Sequence, residues 1–258
     1  MKEKILAILL AAALCLGFGV LSGCGASKPS ATAEPETTAA AQTSETTAQP
    51  SATEPANVTV YVTISDAGKL AAVQMPVAVT DEDADGKLTV NDALIAAHGV
   101  YTGGAAAGYA TEEGQYGLSI TKLWGVENGG SYGFYVNNVA SESLTDPVAD
   151  GDYLTAFSYS DLSKYSDVYS YFDNQTASVA AGASLTLKLS YVGFDANFKP
   201  VVNPAAGAAI TIDGQQTEYV AGSDGTVTVS FAAAGNHVVS AVSSTETLVP
   251  PVCTVTVG

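Results

Sequence analysis

The 258-residue chain contains no arginine, so all nine of its basic residues are lysines. Twenty-six acidic residues outnumber them, which gives a formal net charge of −17 and a pI near 4.1. Binding to nucleic acid depends on neutralising phosphates with basic side chains, and arginine supplies the fork that recognises phosphate best. We therefore expect no nucleic-acid partner.

Cysteine and histidine are also scarce, with three and two residues respectively. Cys15 and Cys24 lie in the N-terminal segment, so no disulfide is expected within the rest of the chain. Cys253 lies in an alternating, strand-like run and is predicted to be a small buried hydrophobe. We expect His98 and His237 to be structural; for His98 the alternative is a ligand to a metal or to a corrinoid cobalt.

The sequence also lacks the motifs of common catalytic sites. No nucleophile-elbow serine, cysteine pair, phosphate-binding loop or zinc motif is present. Because no nucleophile and base can be paired, we expect no enzymatic activity.

The N-terminus has the order of a secretory signal. Lys2 and Lys4 precede an apolar run, Ile5 to Val20, that is shorter than the ~20 residues that span a bilayer. The ending Leu21-Ser-Gly-Cys24 resembles the lipobox of bacterial lipoproteins. That resemblance implies removal of residues 1–23 and a lipid on Cys24, which would hold the chain at the extracellular face of the bacterial cell membrane. The alternatives are an uncleaved anchor and an ordinary signal with an incidental cysteine.

Residues 24–56 have the composition of a tether. They are mostly Ala, Thr, Ser, Pro and Glu, with no aromatic residue. Such a segment cannot bury enough apolar surface to offset its chain entropy, so we predict that it is disordered. It would act as a spacer between the membrane and the folded regions.

The first predicted folded region covers residues 57–160 and has α+β character. Alternating, β-branched runs predict strands at Val58–Ile64 and Val73–Val79, joined as a hairpin, with Pro76 indicating an edge or a bulge. A helix is predicted from Asp92 to His98, and a Gly- and Ala-rich loop from Gly103 to Gly114. Further short strands are predicted at Leu118–Leu123, Tyr132–Val136 and Tyr153–Tyr159.

An acidic loop in this region is similar to a calcium-binding loop. Residues Asp81 to Asp92 place acids at positions 1, 3, 5 and 12 of an EF-hand-like pattern, with glycine at position 6. The predicted calcium ligands are Asp81, Asp83, Asp85, the carbonyl of Lys87, and Asp92. The alternative is an acidic loop without metal, in which Asn91 or Asp92 caps the helix.

The region as a whole resembles the transcobalamin-like C-terminal domain, a β-grasp module that binds soluble ligands. The resemblance lies in Thr89-Val-Asn-Asp-Ala-Leu94, Tyr116-Gly-Leu-Ser-Ile120, Gly129-Gly-Ser-Tyr-Gly-Phe-Tyr-Val-Asn137 and Asp150-Gly-Asp152. It implies a β-grasp fold and, as ligand, cobalamin or another corrinoid. The large helical domain that accompanies this module in vitamin carriers has no counterpart here.

Aromatic residues cluster beside the glycine-rich segments of this region. In a strand, Tyr132 and Phe134 would share one face and Tyr135 the other. A platform of aromatic rings suits a planar ligand or a sugar, and packing in the core and at its rim is the alternative. The candidate ligand-binding residues are Tyr116, Trp124, Tyr132, Phe134 and Tyr135.

The second predicted folded region covers residues 165–258 and is all-β. Short alternating runs separated by turn signals predict a β-sandwich. Asp224-Gly-Thr-Val-Thr-Val-Ser-Phe231 and Gly235-Asn-His-Val-Val-Ser-Ala241 resemble bacterial immunoglobulin-like surface domains. The predicted strands are Ala177–Val179, Leu185–Tyr191, Ala209–Ile212, Thr226–Phe231, His237–Val242 and Cys253–Val257.

Two functions follow from these observations. The first is a lipid-anchored binding protein for a small molecule, with a corrinoid or a glycan as candidates. The second is a non-catalytic structural or adhesive surface module that calcium stiffens. Exposed rings around a cleft would favour the first function, and buried rings the second.

Overall fold

The computed structural model describes residues 58–258. The expected signal segment, Cys24 and the tether lie outside the described residues. The described residues belong to one compact unit. Its described part consists of an α+β half, residues 58–160, and a β-sandwich half, residues 165–258.

The α+β half is built on a mixed five-stranded sheet. Strands β1 (Val58–Asp66) and β2 (Lys69–Val79) form an antiparallel hairpin, as predicted. Strand β7 (Tyr153–Ser158) runs parallel to β1, and β5 (Tyr132–Val136) pairs antiparallel with β7. The short strand β6 (Val139–Ala140) completes the order β2-β1-β7-β5-β6.

The edge position indicated by Pro76 is confirmed, because β2 has a partner on one side only. The pairing of β1 with β2 is also irregular around Ile64. Gln74 has a positive φ of 38° at this irregularity, and its backbone N–H donates to the Thr63 hydroxyl at 3.1 Å. The irregularity turns the Gln74 side chain into a buried position.

One helix, α1 (Val90–His98), packs on this sheet and begins two residues before the predicted start. Thr89, rather than Asn91 or Asp92, is the N-cap, and its hydroxyl accepts from the Asp92 N–H. The Asp92 carboxylate in turn accepts from the Thr89 N–H at 2.9 Å, which completes a capping box. The apolar side of α1 buries Leu94 against the side chains of β1.

The prediction of a loop from Gly103 to Gly114 is wrong over most of this range. It contains a short helical turn, α2 (Ala105–Gly108), and a strand, β3 (Ala110–Gly114). Strand β3 pairs with β4 (Gly117–Lys122) in a separate two-stranded hairpin. The sequence of β3 has no apolar alternation, because both of its faces are largely solvated.

The second half is a sandwich of two sheets, as predicted. Its strands are β8 (Val168–Phe172), β9 (Thr176–Val179), β10 (Ser184–Phe194), β11 (Pro200–Pro204), β12 (Ala209–Ile212), β13 (Gln215–Val220), β14 (Thr226–Ser230), β15 (Gly235–Val242), β16 (Leu248–Val249) and β17 (Cys253–Val257). One sheet has the order β11-β10-β8-β16, with β14 also paired to β10, and the other has the order β13-β12-β15-β17-β9.

The strand order is that of an immunoglobulin-like domain. Strands β8, β10 and β14 are neighbours in one sheet, and β12, β15 and β17 are neighbours in the other. These sets correspond to the A-B-E and C-F-G sets of that fold. Phe172, Leu187, Ile210, Val239 and Val255 fill the space between the sheets.

Four strands of the sandwich were not predicted, namely β8, β11, β13 and β16. Strand β8 lies in the segment Lys164 to Asp173, which is rich in Tyr, Ser and Asp. Prolines flank β11, and β13 is largely polar and exposed. None of them shows the apolar alternation that identifies a strand from sequence.

The two halves share a small aromatic cluster. Phe157 of β7 and Tyr135 of β5 pack against Tyr169 of β8, together with Val192 and Val249 from the sandwich. The face of the mixed sheet opposite α1 is thus in contact with the second half.

Candidate functional site

The acidic loop brings three of its predicted ligands together. One carboxylate oxygen each from Asp81, Asp83 and Asp85 lies within 4.8 Å of the others. The Asp81 carboxylate accepts from the N–H groups of Asp85 (3.1 Å) and Gly86 (2.8 Å), which closes the loop. Gly86 has a φ of 83°, a conformation that glycine adopts without strain.

The electrostatics of this loop suit a divalent cation. Desolvation and the neighbouring charges of Asp92, Asp85 and Asp81 raise the pKa of Asp83, while a hydrogen bond from the Asp85 N–H lowers it in part. A bound cation would relieve this crowding of carboxylates, and oxygen ligands on a tight loop are those that calcium prefers.

Asp92, the predicted ligand at position 12, is not in this group of three carboxylates. It is fully buried, and its carboxylate accepts from the N–H groups of Thr89 and Glu82, each at 2.9 Å, and from the Thr89 hydroxyl at 2.6 Å. Both of its oxygens are therefore in use. The residues that fit a cation are Asp81, Asp83 and Asp85, with the Lys87 carbonyl beside them in sequence.

Three of the five aromatic candidates line one cleft. It lies between the β3–β4 hairpin and β5, and its volume is about 200 Å³. Tyr116 comes from the hairpin tip, and Tyr132 and Phe134 come from the same face of β5. The sequence did not indicate Ser119, Glu142 and Ser143, which also line it.

The rings of the cleft differ in how firmly they are held. The single O–H of Tyr132 is shared between the carbonyls of Val126 (2.7 Å) and Thr121 (3.0 Å), and its oxygen accepts from the Asn128 N–H. Burial raises the pKa of Tyr132, so this hydroxyl stays protonated at neutral pH. Tyr116 is 93% exposed.

Trp124 and Tyr135 lie away from this cleft. Trp124 packs against Tyr101 and His98, with ring centroids 5.3 Å apart in each case. Tyr135 points to the opposite face of β5, where it stacks on Tyr169. Strand geometry predicted that Tyr135 lies on the face of β5 opposite to Tyr132 and Phe134, and the structure confirms it.

His98 is structural, as expected. It is fully buried, its Nδ1–H donates to the Leu94 carbonyl at 2.6 Å, and its Nε2 accepts from the Trp124 N–H at 3.0 Å. Burial lowers its pKa, which keeps the ring neutral. Since both nitrogens have protein partners, neither is available to a metal.

His237 and Cys253 also have structural surroundings. His237 Nδ1 donates to the Asp213 carboxylate at 2.7 Å, and this hydrogen bond raises the pKa of His237. Cys253 is fully buried, and burial raises the pKa of its thiol to about 12. The prediction that Cys253 is a small buried hydrophobe is confirmed.

A polar network joins the halves through Gln74, a residue that the sequence did not single out. Gln74 Nε2 donates to the Gln175 carbonyl at 2.8 Å, and Gln74 Oε1 accepts from the Thr254 hydroxyl at 2.7 Å. Gln175 Nε2 and the Tyr169 hydroxyl both donate to Asn138 Oδ1, at 3.0 and 2.9 Å. The only sequence signal for Gln74 is a polar residue inside an apolar run.

Among residues 58–258, no helix is long and apolar enough to cross a membrane.

Comparisons with known proteins give neither a family nor a function. No protein-family model and no curated protein matches the sequence. Matching solved structures include the N-terminal Ig1-2 module of the Drosophila receptor protein tyrosine phosphatase DLAR, with 14% identity over 58% of this chain and 74% of that chain, at a TM-score of 0.25. The tandem Ig repeats of Dlar share 13% identity over 78% of this chain and 96% of that chain, at a TM-score of 0.24.

The N-terminal four Ig domains of Dscam1 isoform 9.44, determined with zinc, share 12% identity over 58% of this chain and 37% of that chain, at a TM-score of 0.22. Similarities this low support no inference about origin or function. The immunoglobulin-like assignment of the sandwich rests on its own strand order.

Proposed function

We propose that the protein is a non-catalytic, lipid-tethered module of the bacterial cell surface whose two folded halves act as one rigid structural or adhesive unit. The observation that carries this proposal is the Gln74 network. The buried amide of Gln74 bonds both Gln175 and Thr254, which favours one orientation of the halves because a rotation would leave that amide without these partners.

The lipid anchor rests on the lipobox-like sequence that ends at Cys24. Expression of the full chain in a bacterium with lipoprotein-processing enzymes tests it. We expect incorporation of labelled palmitate and recovery in the membrane fraction, and loss of both in Cys24→Ser. Membrane association of Cys24→Ser without label would instead indicate an uncleaved anchor and contradict the proposal.

Rigidity can be tested by distance measurement between spin labels on the full chain. In a chain that also carries Cys15→Ser and Cys24→Ser, Glu112→Cys and Glu218→Cys place one label on each half, and buried Cys253 should not react because of its raised pKa. Glu218→Cys with Ser244→Cys gives a reference pair within the sandwich. We expect equally narrow distance distributions for both pairs; a broad distribution between the halves would contradict a rigid unit.

A second candidate function is the binding of a small molecule by the α+β half. We propose that this half is a β-grasp module, a proposal supported by the order β2-β1-β7-β5-β6 with its parallel β1–β7 pair. The cleft beside Tyr132 and Phe134 favours this function. A cobalamin titration of the full chain tests the corrinoid version, which predicts a spectral change and measurable heat. The absence of both signals at high micromolar ligand would exclude corrinoid binding.

Calcium is proposed as a structural ion held by Asp81, Asp83, Asp85 and the Lys87 carbonyl. When bound, it would neutralise the crowded carboxylates and brace the loop that leads into α1. We expect calcium to raise the melting temperature of the full chain and a chelator to reverse the rise. Asp83→Asn should abolish the shift, while Glu218→Gln, which removes a charge far from the loop, should keep it. An unchanged melting temperature in wild type would refute the proposal.

A further inference from the structure

The cleft between the β3–β4 hairpin and β5 is bounded by aromatic rings on two sides. Tyr132 and Phe134 line one side, and Tyr116 stands at the tip of the hairpin on the other. Because the hydroxyl of Tyr132 is occupied by backbone partners, its ring is the part that a ligand can meet. Tyr116 is almost fully exposed, and its phenol has no partner among the hydrogen bonds of the described residues.

The charged side chains that line this cleft and the groove beside it are all acidic. Glu142 lines the cleft itself, and Glu112, Glu113 and Glu127 line the wider groove of about 530 Å³ that continues it past Ser119, Ile120 and Gly130. No lysine lines either space in the described part of the chain. Lys122, the last residue of β4, forms an ion pair with Glu127 at 3.0 Å.

Aromatic faces and carboxylates attract the same kind of ligand. The face of an aromatic ring carries negative potential and binds ammonium groups, quaternary ones included. Carboxylates add attraction for the same charge and repel anions such as phosphates. The volume of about 200 Å³ lies below the ~300 to 1,000 Å³ usual for ligand pockets, so the cleft suits one small head group rather than a macrocycle.

We propose that this cleft binds a small organic cation, with an ammonium group placed between the rings of Tyr116, Tyr132 and Phe134 and facing Glu142. The proposal rests on the second candidate function, the binding of a small molecule, and names the class of that molecule. It is independent of the structural role of the joined halves.

The test is calorimetric titration of the full chain, held in a maltoside detergent, with choline. The uncharged analogue 3,3-dimethyl-1-butanol has the same shape, so it separates charge from apolar contact. We expect saturable binding of choline, weakened as salt is raised, and at least tenfold weaker binding of the analogue. Absence of saturable choline binding, or equal binding of both compounds, would overturn the proposal.

Variants assign the binding to this cleft. Tyr116→Ala should weaken choline binding about three- to fivefold, the change that corresponds to a cation–π contact of about 0.6 to 1 kcal/mol. Glu142→Gln should weaken it at least twofold, whereas Glu218→Gln, the same change in charge on the exposed strand β13, should leave it unchanged. Equal effects of Glu142→Gln and Glu218→Gln would show attraction to net charge alone and refute the site.

Because Tyr116 is exposed, Tyr116→Ala should melt at the wild-type temperature, so that any loss of binding is not a loss of folding. The cobalamin titration separates this proposal from the broader one. Cobalamin binding without choline binding would refute the cation and keep a small-molecule function. Failure of both ligands would refute the cation and leave only the structural or adhesive role.

Discussion

Tyr135 and Tyr169 lie face to face across the boundary between the two halves, with ring centroids 3.7 Å apart and ring planes 6° apart. Tyr135 comes from β5 of the mixed sheet and Tyr169 from β8 of the sandwich. The Tyr169 hydroxyl also donates to Asn138 on the first half. Burial raises the pKa values of both phenols, so both rings stay neutral near pH 7. The stack therefore adds an apolar contact to the polar Gln74 network.

The stack predicts a loss of stability in Tyr135→Leu. The variant should lower the free energy of unfolding by about 2 kcal/mol, because it removes an aromatic pair and leaves part of its volume unfilled. Urea denaturation followed by near-ultraviolet circular dichroism measures this change. Tyr135→Phe is the control and should stay within about 0.5 kcal/mol of wild type, since it keeps the ring. Equal stability of Tyr135→Leu and wild type would show that the stack contributes nothing.

A close approach in the mixed sheet predicts a second loss. Gly133 of β5 lies opposite Phe157 of β7, and a Cβ atom on Gly133 would overlap the Phe157 ring. Gly133→Ala should therefore destabilise the protein by about 1 to 3 kcal/mol, the usual cost of overpacking. Gly114→Ala is the matched control, because its Cβ would approach no atom closer than 3.7 Å. Thermal unfolding of both variants gives the comparison, and a similar melting temperature for the two would argue against the overlap.

The buried His98 predicts a loss of stability in acid. Its pKa is lowered in the folded protein, so the unfolded chain takes up a proton at a higher pH than the folded chain does. The contribution of neutral His98 to the free energy of unfolding is therefore fully present above about pH 6.5. It is lost as the pH falls towards the pKa that His98 has in the folded protein. The free energy of unfolding, measured between pH 8 and pH 5, should fall less steeply in His98→Gln than in wild type. Identical slopes would mean that His98 does not titrate differently on folding.

His237 should titrate in the opposite sense. The hydrogen bond to Asp213, followed by that to the Ala233 carbonyl, raises the pKa of His237, so its contribution is present at low pH and is lost as the pH rises through the raised value. Burial alone would raise the pKa of Asp213, but the hydrogen bonds from His237 and the Val238 N–H outweigh it and lower that pKa. Because Asp213 is half exposed, the effect on stability should be small.

An NMR titration of the His237 ring measures this shift directly. We expect a pKa above 6.5 in wild type and a return towards 6.5 in Asp213→Asn. An unchanged value in Asp213→Asn would mean that Asp213 is not the cause.

The sequence predicted the elements whose residues alternate regularly. Val58 to Asp66 places β-branched side chains on a face that is buried, so β1 could be identified from its own residues. Strands β3 and β13 could not be identified in this way. Both are largely polar and exposed, and their backbone hydrogen bonds come from the adjacent strands β4 and β12 in local hairpins, which require no apolar side chains.

The residues of one strand predict only part of the cleft. Tyr132 and Phe134 share a strand face, which the two-residue period of a strand predicts. Glu142 meets them only because the chain turns back at Asn137 and Asn138, both with positive φ, and then passes beside β5. Two consecutive asparagines favour a turn, but they do not indicate where the chain runs after it.

The parallel pair of β1 with β7 also bears on how the protein is made. Asp66 and Ser158 are 92 residues apart and share a hydrogen bond, and Gln74 and Thr254 are 180 residues apart. A nascent chain cannot complete the mixed sheet before residue 158 has emerged, nor the Gln74 network before β17 has been synthesised. Contacts this distant in sequence slow folding. The β1–β2 hairpin can pair early, but the edge of β1 that receives β7 must remain unpaired until residue 158 has emerged, a period in which holdase chaperones would have their opportunity to bind.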